Sequence, residues 1–400
     1  MATERLYYDD SFAREFSAEV LRCVPAESNG KPVWEVVLNR TAFYPTSGGQ
    51  PHDLGTFGDA NLLDVRDEDA DIVHVVDRPV STGMLQGRID WARRFDHIQQ
   101  HSGQHLLSSI LQESFDLPTV SFHLGADFCT IDVRGAEPSA QTLSAVERAA
   151  NQIIFEDRPV TVRYGTAEEL AKIGVRKTVE RTGTLRAIEI EGADLQPCGG
   201  THVQRTGQIG MLLIRGISKI RSDWRIEFVC GQRAERVAAQ DLATLRGVTE
   251  HLKCPRQDVL SAAERAVKER DTQAKAVRTL LERLAEMEAT LAVQSQSLDA
   301  KGLRVIARVM SAETQPEYLG YFATHLAKNE KTVALLAHSG TGQLVFAAHA
   351  SAAKDMNATL KEVFAGFAGK GGGSVQFARG QIVDPAGAAM VVDFAAGLVR

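Results

Sequence analysis

The chain has 400 residues, too many for one ordinary core, and its 44% hydrophobic and 24% charged content is ordinary for a folded soluble protein, so about two to four domains are expected. No run of about 18 apolar residues points to a membrane span, and the opening Met-Ala-Thr-Glu-Arg has no apolar signal core. A net charge of −6 offers no global basic field, so any RNA contact must come from local patches; the five scattered cysteines (Cys23, Cys129, Cys198, Cys230 and Cys254) suit a reducing cytosol, and a cytoplasmic location is expected.

Residues 1–88 read as short strands broken by turns, a β-rich, barrel-like domain. Trp34–Leu38 and Val73–Val76 are strand candidates, with turn chemistry at Ser47-Gly48-Gly49 and Asp53-Leu54-Gly55. From 89 to 235 the pattern becomes α+β. Helical spacing runs from Trp91 to Phe115, with Pro118 beyond its end, and a second helix is expected over Ser139–Phe155. Strands are expected around Val160–Val162, Ala187–Ile190, Leu212–Ile214 and Arg225–Val229, with Arg225 and Glu227 forming a cross-strand pair.

Residues 236–299 read as a helical connector. Leu260, Val267, Ala274, Val277, Leu281, Leu284 and Leu291 fall on one seam, interrupted by Arg270 and Glu288. The segment 300–400 reads as a small α/β domain, with strands at Val305–Ala307, Val333–Leu336 and Leu344–Ala347. A helix ending near Phe367 leads to a glycine-rich loop, Gly369-Lys370-Gly371-Gly372-Gly373-Ser374. A Walker loop would need glycine where Phe364 stands, so ATP binding is not supported; consecutive glycine amides can still cradle an anion.

The strongest chemical signal is a split metal site. His101 and His105 are four apart in a helical segment, so both imidazoles share one face. Cys198-Gly199-Gly200-Thr201-His202 supplies a sulfur and a third imidazole across a turn that glycines permit. Three nitrogens and one sulfur suit zinc. Either half alone reads as ordinary core or surface; the two halves together favour metal. His97 continues the histidine stripe one turn earlier, beside Asp96, and is an accessory candidate whose blander reading is structural or RNA-facing.

His101-Ser102-Gly103-Gln104-His105-Leu106-Leu107 with Cys198-Gly199-Gly200-Thr201-His202 resembles the editing domain of alanyl-tRNA synthetase. It resembles still more the long form of the free-standing alanyl-tRNA editing proteins of the AlaX type. Phe43-Tyr44-Pro45-Thr46-Ser47-Gly48-Gly49-Gln50 looks like a further motif of that family, and Ser121-Phe122-His123-Leu124-Gly125 like a stretch beside its pocket. The segment from the connector to Gly371 is similar to its DHH-associated C-terminal domain. The resemblance implies a hydrolase acting on tRNA(Ala) mischarged with serine, with glycine a second candidate. It implies zinc on His101, His105, Cys198 and His202, and catalytic or substrate-reading roles for Thr46 and Gln50. It also implies tRNA contact through Lys370, Gly371, Gly372 and Gly373, with a homodimer formed through the connector or C-terminal domain. The logic is chemical. A pocket built for alanine cannot strongly reject serine, which only adds a hydroxyl, so a second site must read that hydroxyl.

Three rivals are weighed. A full synthetase would need an aminoacylation unit before the β-domain. A DHH phosphoesterase would need an Asp-His-His motif, and none occurs. A non-catalytic, zinc-containing RNA-binding protein satisfies the ligand set but leaves the Phe43–Gln50 motif without a use.

Overall fold

The computed structural model describes residues 2–68, 70–176 and 183–400. The chain divides into two compact units, Met1–Gly247 and Val248–Arg400, and mixes helices with mainly antiparallel sheets. Among the described residues no helix is long and apolar enough to cross a membrane.

The first unit opens with β1 (Glu4–Arg5), β2 (Glu15–Ser28), β3 (Lys31–Leu38), β4 (Arg40–Thr41), β5 (Gly55–Phe57), β6 (Ala60–Glu68), β7 (Asp71–Val76) and β8 (Gly83–Ile89). Six of these pair in a closed ring, β2–β3–β7–β6–β5–β8, while β1 and β4 pair in parallel. Period-2 alternation sends Phe16, Ala18 and Val20 inward to meet Val36, Phe43, Phe57, Leu62 and Ile72.

α1 (Trp91–Phe115) then runs through the unit, with every residue from Ile98 to Leu111 buried. Its ends are set locally. The Asp90 carboxylate accepts from the Arg93 amide, and Asp116 closes the helix in the left-handed region at φ 53°. β9 (Thr119–Leu124), β10 (Cys129–Val133), α2 (Ala140–Phe155), β11 (Val160–Gly165), α3 (Ala167–Lys172), β12 (Leu185–Ile190), β13 (Asp194–Pro197), β14 (Leu212–Ile220) and β15 (Asp223–Cys230) follow. They form two antiparallel sheets, β14–β15–β10–β9 and β11–β12–β13. Leu106, Leu107, Ile131, Val146, Ile188 and Phe228 share the core between helices and sheets. Arg225 pairs across the sheet with Asp132, at 2.7 and 2.9 Å, rather than with Glu227 as the sequence suggested. Glu227 is two residues along the same strand, whereas Asp132 lies directly opposite Arg225 in the register.

α4 (Gly231–Leu252) and α5 (Val259–Ser295) are separated by a break where Lys253 takes φ 50° and Pro255 follows. The remaining elements are β16 (Arg304–Met310), α6 (Pro316–Leu326), β17 (Thr332–His338), β18 (Gln343–Ala348), α7 (Met356–Gly366), β19 (Gly369–Gly373), β20 (Phe377–Ile382) and α8 (Ala388–Val399). Their sheet order is β16–β17–β18–β20–β19, parallel only between β16 and β17.

The glycine-rich run expected to be a loop is therefore an edge strand. Its glycines have a packing reason. Cβ atoms at Gly369, Gly371 and Gly380 would come within 2.5, 3.0 and 2.5 Å of the Phe364 ring, so α7 can lie this close only against bare backbone. The connector seam also differs from expectation. Leu281 faces the core of the second unit with Ala285, Ala289 and Ala292, whereas Leu284 and Leu291 face outward.

Candidate metal centre and its cavity

His101 and His105 project from successive turns of α1. Cys198 and His202 come from the turn after β13. One donor atom from each lies within 4.8 Å of the other three. The Cys198 sulfur sits 3.5 Å from His101 Nε2 and 3.2 Å from His202 Nε2. Tetrahedral ligands about 2.0–2.3 Å from a zinc ion lie roughly 3.3–3.8 Å apart, so the spacing fits.

Each imidazole is oriented through its other nitrogen. His101 Nδ1 donates to Gln50 Oε1 at 2.8 Å, an oxygen fixed by the Thr201 amide and by Gln50 Nε2 donating to Thr201 Oγ1. His105 Nδ1 donates to Asp194 Oδ2 at 3.0 Å, and Arg176 holds that carboxylate. His202 Nδ1 meets Ser102 Oγ at 3.2 Å. All three rings thereby keep Nε2 free to coordinate, the arrangement metal-ligating histidines adopt.

The electrostatics agree. Burial alone would raise the Cys198 thiol, but the imidazoles of His101, His202 and His105 hold it well below its ordinary value. Burial also opposes charge on His105, yet the Cys198 sulfur and the Asp194 carboxylate push it up to about 9. His202, dominated by burial, falls to about 3. A thiolate, a neutral His202 and a His105 whose proton a bound cation would displace converge in a buried place, an arrangement that suits a metal ion.

The centre lies in the wall of a cavity of about 350 Å³, lined by Tyr44, Ser47 and Gly48 from the turn after β4, Gln104 and Ser108 from α1, and Thr119–Phe122 from β9. Arg176 and the segment from Gln196 to Gly200 line it as well. Gln104 Nε2 and the Thr119 hydroxyl both donate to Ser108 Oγ, each at 2.8 Å. The result is a pocket of hydrogen-bonding groups of ordinary ligand-site size.

The sequence-derived residues divide. His101, His105, Cys198 and His202 come together. Thr46 and Gln50 do not line the cavity. Gln50 is fully buried behind His101, and Thr46 is exposed, its hydroxyl accepting from the His52 amide and meeting His52 Nδ1 at 3.1 Å. The motif carrying them reaches the cavity through Tyr44, Ser47 and Gly48 instead. His97 is buried with an unpartnered Nδ1 and stands outside the four-donor cluster. Burial drives it down to about 3. Asp96 is taken up by Arg233, and His123 is exposed on β9, outside the cavity lining. Lys370 and Gly371–Gly373 lie on β19, in the other unit; the Gly373 amide donates to Asn357 Oδ1.

Sequence reasoning missed Asp194, Arg176 and Ser108. Asp194 pairs with His105, 89 residues away, and nothing in its local sequence signals that.

A family model for the threonyl and alanyl tRNA synthetase second additional domain matches residues 185–227, which include Cys198 and His202. The chain is 29% identical over 397 residues to the alanyl-tRNA editing protein AlaX-L of Pyrococcus horikoshii, covering 95% of this chain and 94% of that protein. It is 35% identical over 270 residues to alanyl-tRNA editing protein Aarsd1 of Rattus norvegicus, with 64% and 66% covered. Against alanyl-tRNA editing protein Aarsd1-B of Xenopus laevis it is 34% identical over 294 residues, with 70% and 71% covered.

Proposed function

The chain belongs to the alanyl-tRNA editing proteins, and from that premise we propose that it is a trans-editing hydrolase that deacylates tRNA(Ala) carrying the wrong amino acid, chiefly serine, with glycine a second substrate. The observation that carries this reading is the four-donor cluster in the wall of a cavity lined by Ser47, Gln104, Ser108 and Thr119. A seryl group has a hydroxyl that such a lining can pair, and alanine has none.

In this reading the cofactor is zinc, held by His101, His105, Cys198 and His202. When bound, zinc orders the pocket and places a positive charge in its wall. The chain's residues do the rest. Gln50, Asp194 and Ser102 fix the imidazoles. Thr46 keeps the turn in the shape that presents Ser47 and Gly48, so Thr46 and Gln50 act by positioning. Among the described residues no Ser/His/Asp nucleophile set lines the cavity, and the reaction is direct attack by water. Its oxygen bonds to the ester carbonyl carbon, the bond to the ribose oxygen breaks, that oxygen takes up a proton, and the free amino acid leaves.

The four-part division of the chain at residues 88, 235 and 299 belongs to the same proposal, as does a cytoplasmic location. The tRNA body is taken up by residues 300–400 through Lys370 and the Gly371–Gly373 edge. The test is deacylation of seryl-, glycyl- and alanyl-tRNA(Ala). Hydrolysis of the first two with alanyl-tRNA(Ala) spared is expected. Failure to release serine, or equal release of alanine, would refute the assignment.

A further inference from the structure

The core face of the β11–β12 pair continues past the core. Side chains alternate along a strand, so Tyr164 shares the face of Val160 and Val162, and Arg186 that of Ile188 and Ile190. The four aliphatic side chains pack in the core, whereas Tyr164 is 53% exposed. Tyr164 and Arg186 stand directly opposite each other in the antiparallel register. Both line a second cavity, of about 460 Å³, together with Tyr8 and the turn Pro197–Gly199. The Tyr164 hydroxyl donates to Asp9 Oδ1 at 2.8 Å, which fixes the ring. The Arg186 guanidinium lies 5.4 Å from the centre of the Tyr8 ring. Its Nε donates to the Tyr8 carbonyl at 2.9 Å, and its Nη1 to the Cys198 and Gly200 carbonyls at 2.6 and 3.0 Å. Among the described residues its Nη2 has no hydrogen-bond acceptor. The second cavity therefore offers an exposed aromatic face beside a guanidinium edge.

The two cavities adjoin. Pro197, Cys198 and Gly199 line both. An edge-to-face stack, Tyr44–Tyr7–Tyr8, joins a wall of the first to a wall of the second, with ring centres 5.3 and 5.0 Å apart. Of the four candidate metal donors only Cys198 borders the second cavity, so that cavity has a different use from the first. If the first takes the aminoacyl ester, the rest of the substrate leaves it as single-stranded RNA. Single-stranded nucleotides are held by aromatic faces that stack the base and by guanidinium groups that meet the phosphate. Resting on the editing reading, we propose that the second cavity holds a nucleotide of the single-stranded acceptor end of tRNA, adjacent to the one that bears the amino acid. Its base stacks on Tyr164 and its phosphate meets Arg186 Nη2.

Arg186 also holds the turn that carries Cys198, so the test changes Tyr164 alone. Tyr164→Leu removes the flat face; Tyr164→Phe keeps it and loses only the bond to Asp9. By fluorescence anisotropy, Tyr164→Leu should bind uncharged tRNA(Ala) at least about fivefold more weakly than the wild type, the lower end for one stacked base, and Tyr164→Phe should recover most of that loss. tRNA(Ala) trimmed of its single-stranded end should bind the wild type and Tyr164→Leu alike, which a misfolded variant would not do. In the release of serine from seryl-tRNA(Ala), Tyr164→Leu should raise KM with kcat little changed. Equal affinity of the wild type and Tyr164→Leu for intact tRNA(Ala), the same loss on trimmed tRNA(Ala), or no recovery in Tyr164→Phe would each overturn the proposal. A wild type that releases no serine refutes the editing reading instead, and the comparison of intact with trimmed tRNA(Ala) still decides this site.

Discussion

A methyl group on Gly200 would lie 2.2 Å from His101 Cε1 and 2.5 Å from its Nδ1, far inside contact distance. The neighbouring glycine has room: a Cβ at Gly199 would meet the Tyr8 hydroxyl at 3.7 Å. Gly200→Ala must therefore displace the His101 ring from Gln50, and such loss of ligand orientation costs roughly 10- to 100-fold in metal affinity. Metal analysis after dialysis should show zinc at about one per chain in the wild type and in Gly199→Ala, but depleted in Gly200→Ala. Retention in Gly200→Ala would remove His101 from the ligand set. A second residue-scale case is His74, fully buried in the strand ring. Its Nδ1 donates to the Val36 carbonyl at 3.1 Å, and its Nε2 lies 2.8 Å from the Thr41 hydroxyl. Burial lowers it from 6.5 to about 4. Below pH 6.5 the unfolded chain gains a proton that the folded chain refuses until about pH 4, so this contribution to stability is complete above 6.5 and lost as pH falls. The stability gap between wild type and His74→Gln should narrow by about 1.4 kcal/mol per pH unit across that window. Trp34, Trp91 and Trp224 all lie in the first unit, so denaturant titrations followed by tryptophan fluorescence read it directly. A gap independent of pH would show that His74 titrates normally.

At the scale of elements, α1 is clamped to the segment just before β5 by a buried ion pair. Arg94 and Asp53 are both fully buried; Arg94 Nε reaches both carboxylate oxygens at 3.0 Å, and its other nitrogens donate to the Ser11 and Ala42 carbonyls. Asp53 also accepts from the Tyr44 amide, so one carboxylate sets both the helix and the motif turn at the cavity. Asp53→Asn leaves a buried guanidinium without a counter-charge and should cost about 3–5 kcal/mol in urea unfolding, whereas Asp53→Asn combined with Arg94→Met should recover part of that loss. A loss below about 1 kcal/mol would mean solvent reaches the guanidinium. The clamp also shows what sequence can and cannot tell. α1 was legible from Trp91 to Phe115 because caps and periodicity are local signals. The meeting of His101, His105, Cys198 and His202 was legible because each half is a short motif. The roles of Gln50 and Thr46 were not: within one turn, only the three-dimensional path decides which side chains face the cavity and which support its walls. The glycine run read as a loop because glycine usually marks turns; here the bulk of Phe364 requires it in a strand.

For the whole molecule the question is where the tRNA body is held. Among the described residues three hydrophobic clusters lie in the first unit and two in the second, so each unit has a core of its own. The candidate metal centre draws all four of its donor residues, and Gln50, Asp194 and Ser102 behind them, from Met1–Gly247. A chain ending after α4 at Leu252 should therefore fold and keep its metal. Affinity for tRNA is a separate matter, because a chain of net charge −6 gains little from its overall field and must rely on local cations and amides. If residues 300–400 supply those groups, the shortened chain should bind tRNA(Ala) at least about tenfold more weakly and with a shallower dependence on salt, since fewer counterions are released. Lys370→Ala in the full chain should reduce the salt slope by about one phosphate contact without touching metal content. Equal affinity and slope for the full and shortened chains would place tRNA capture on the first unit.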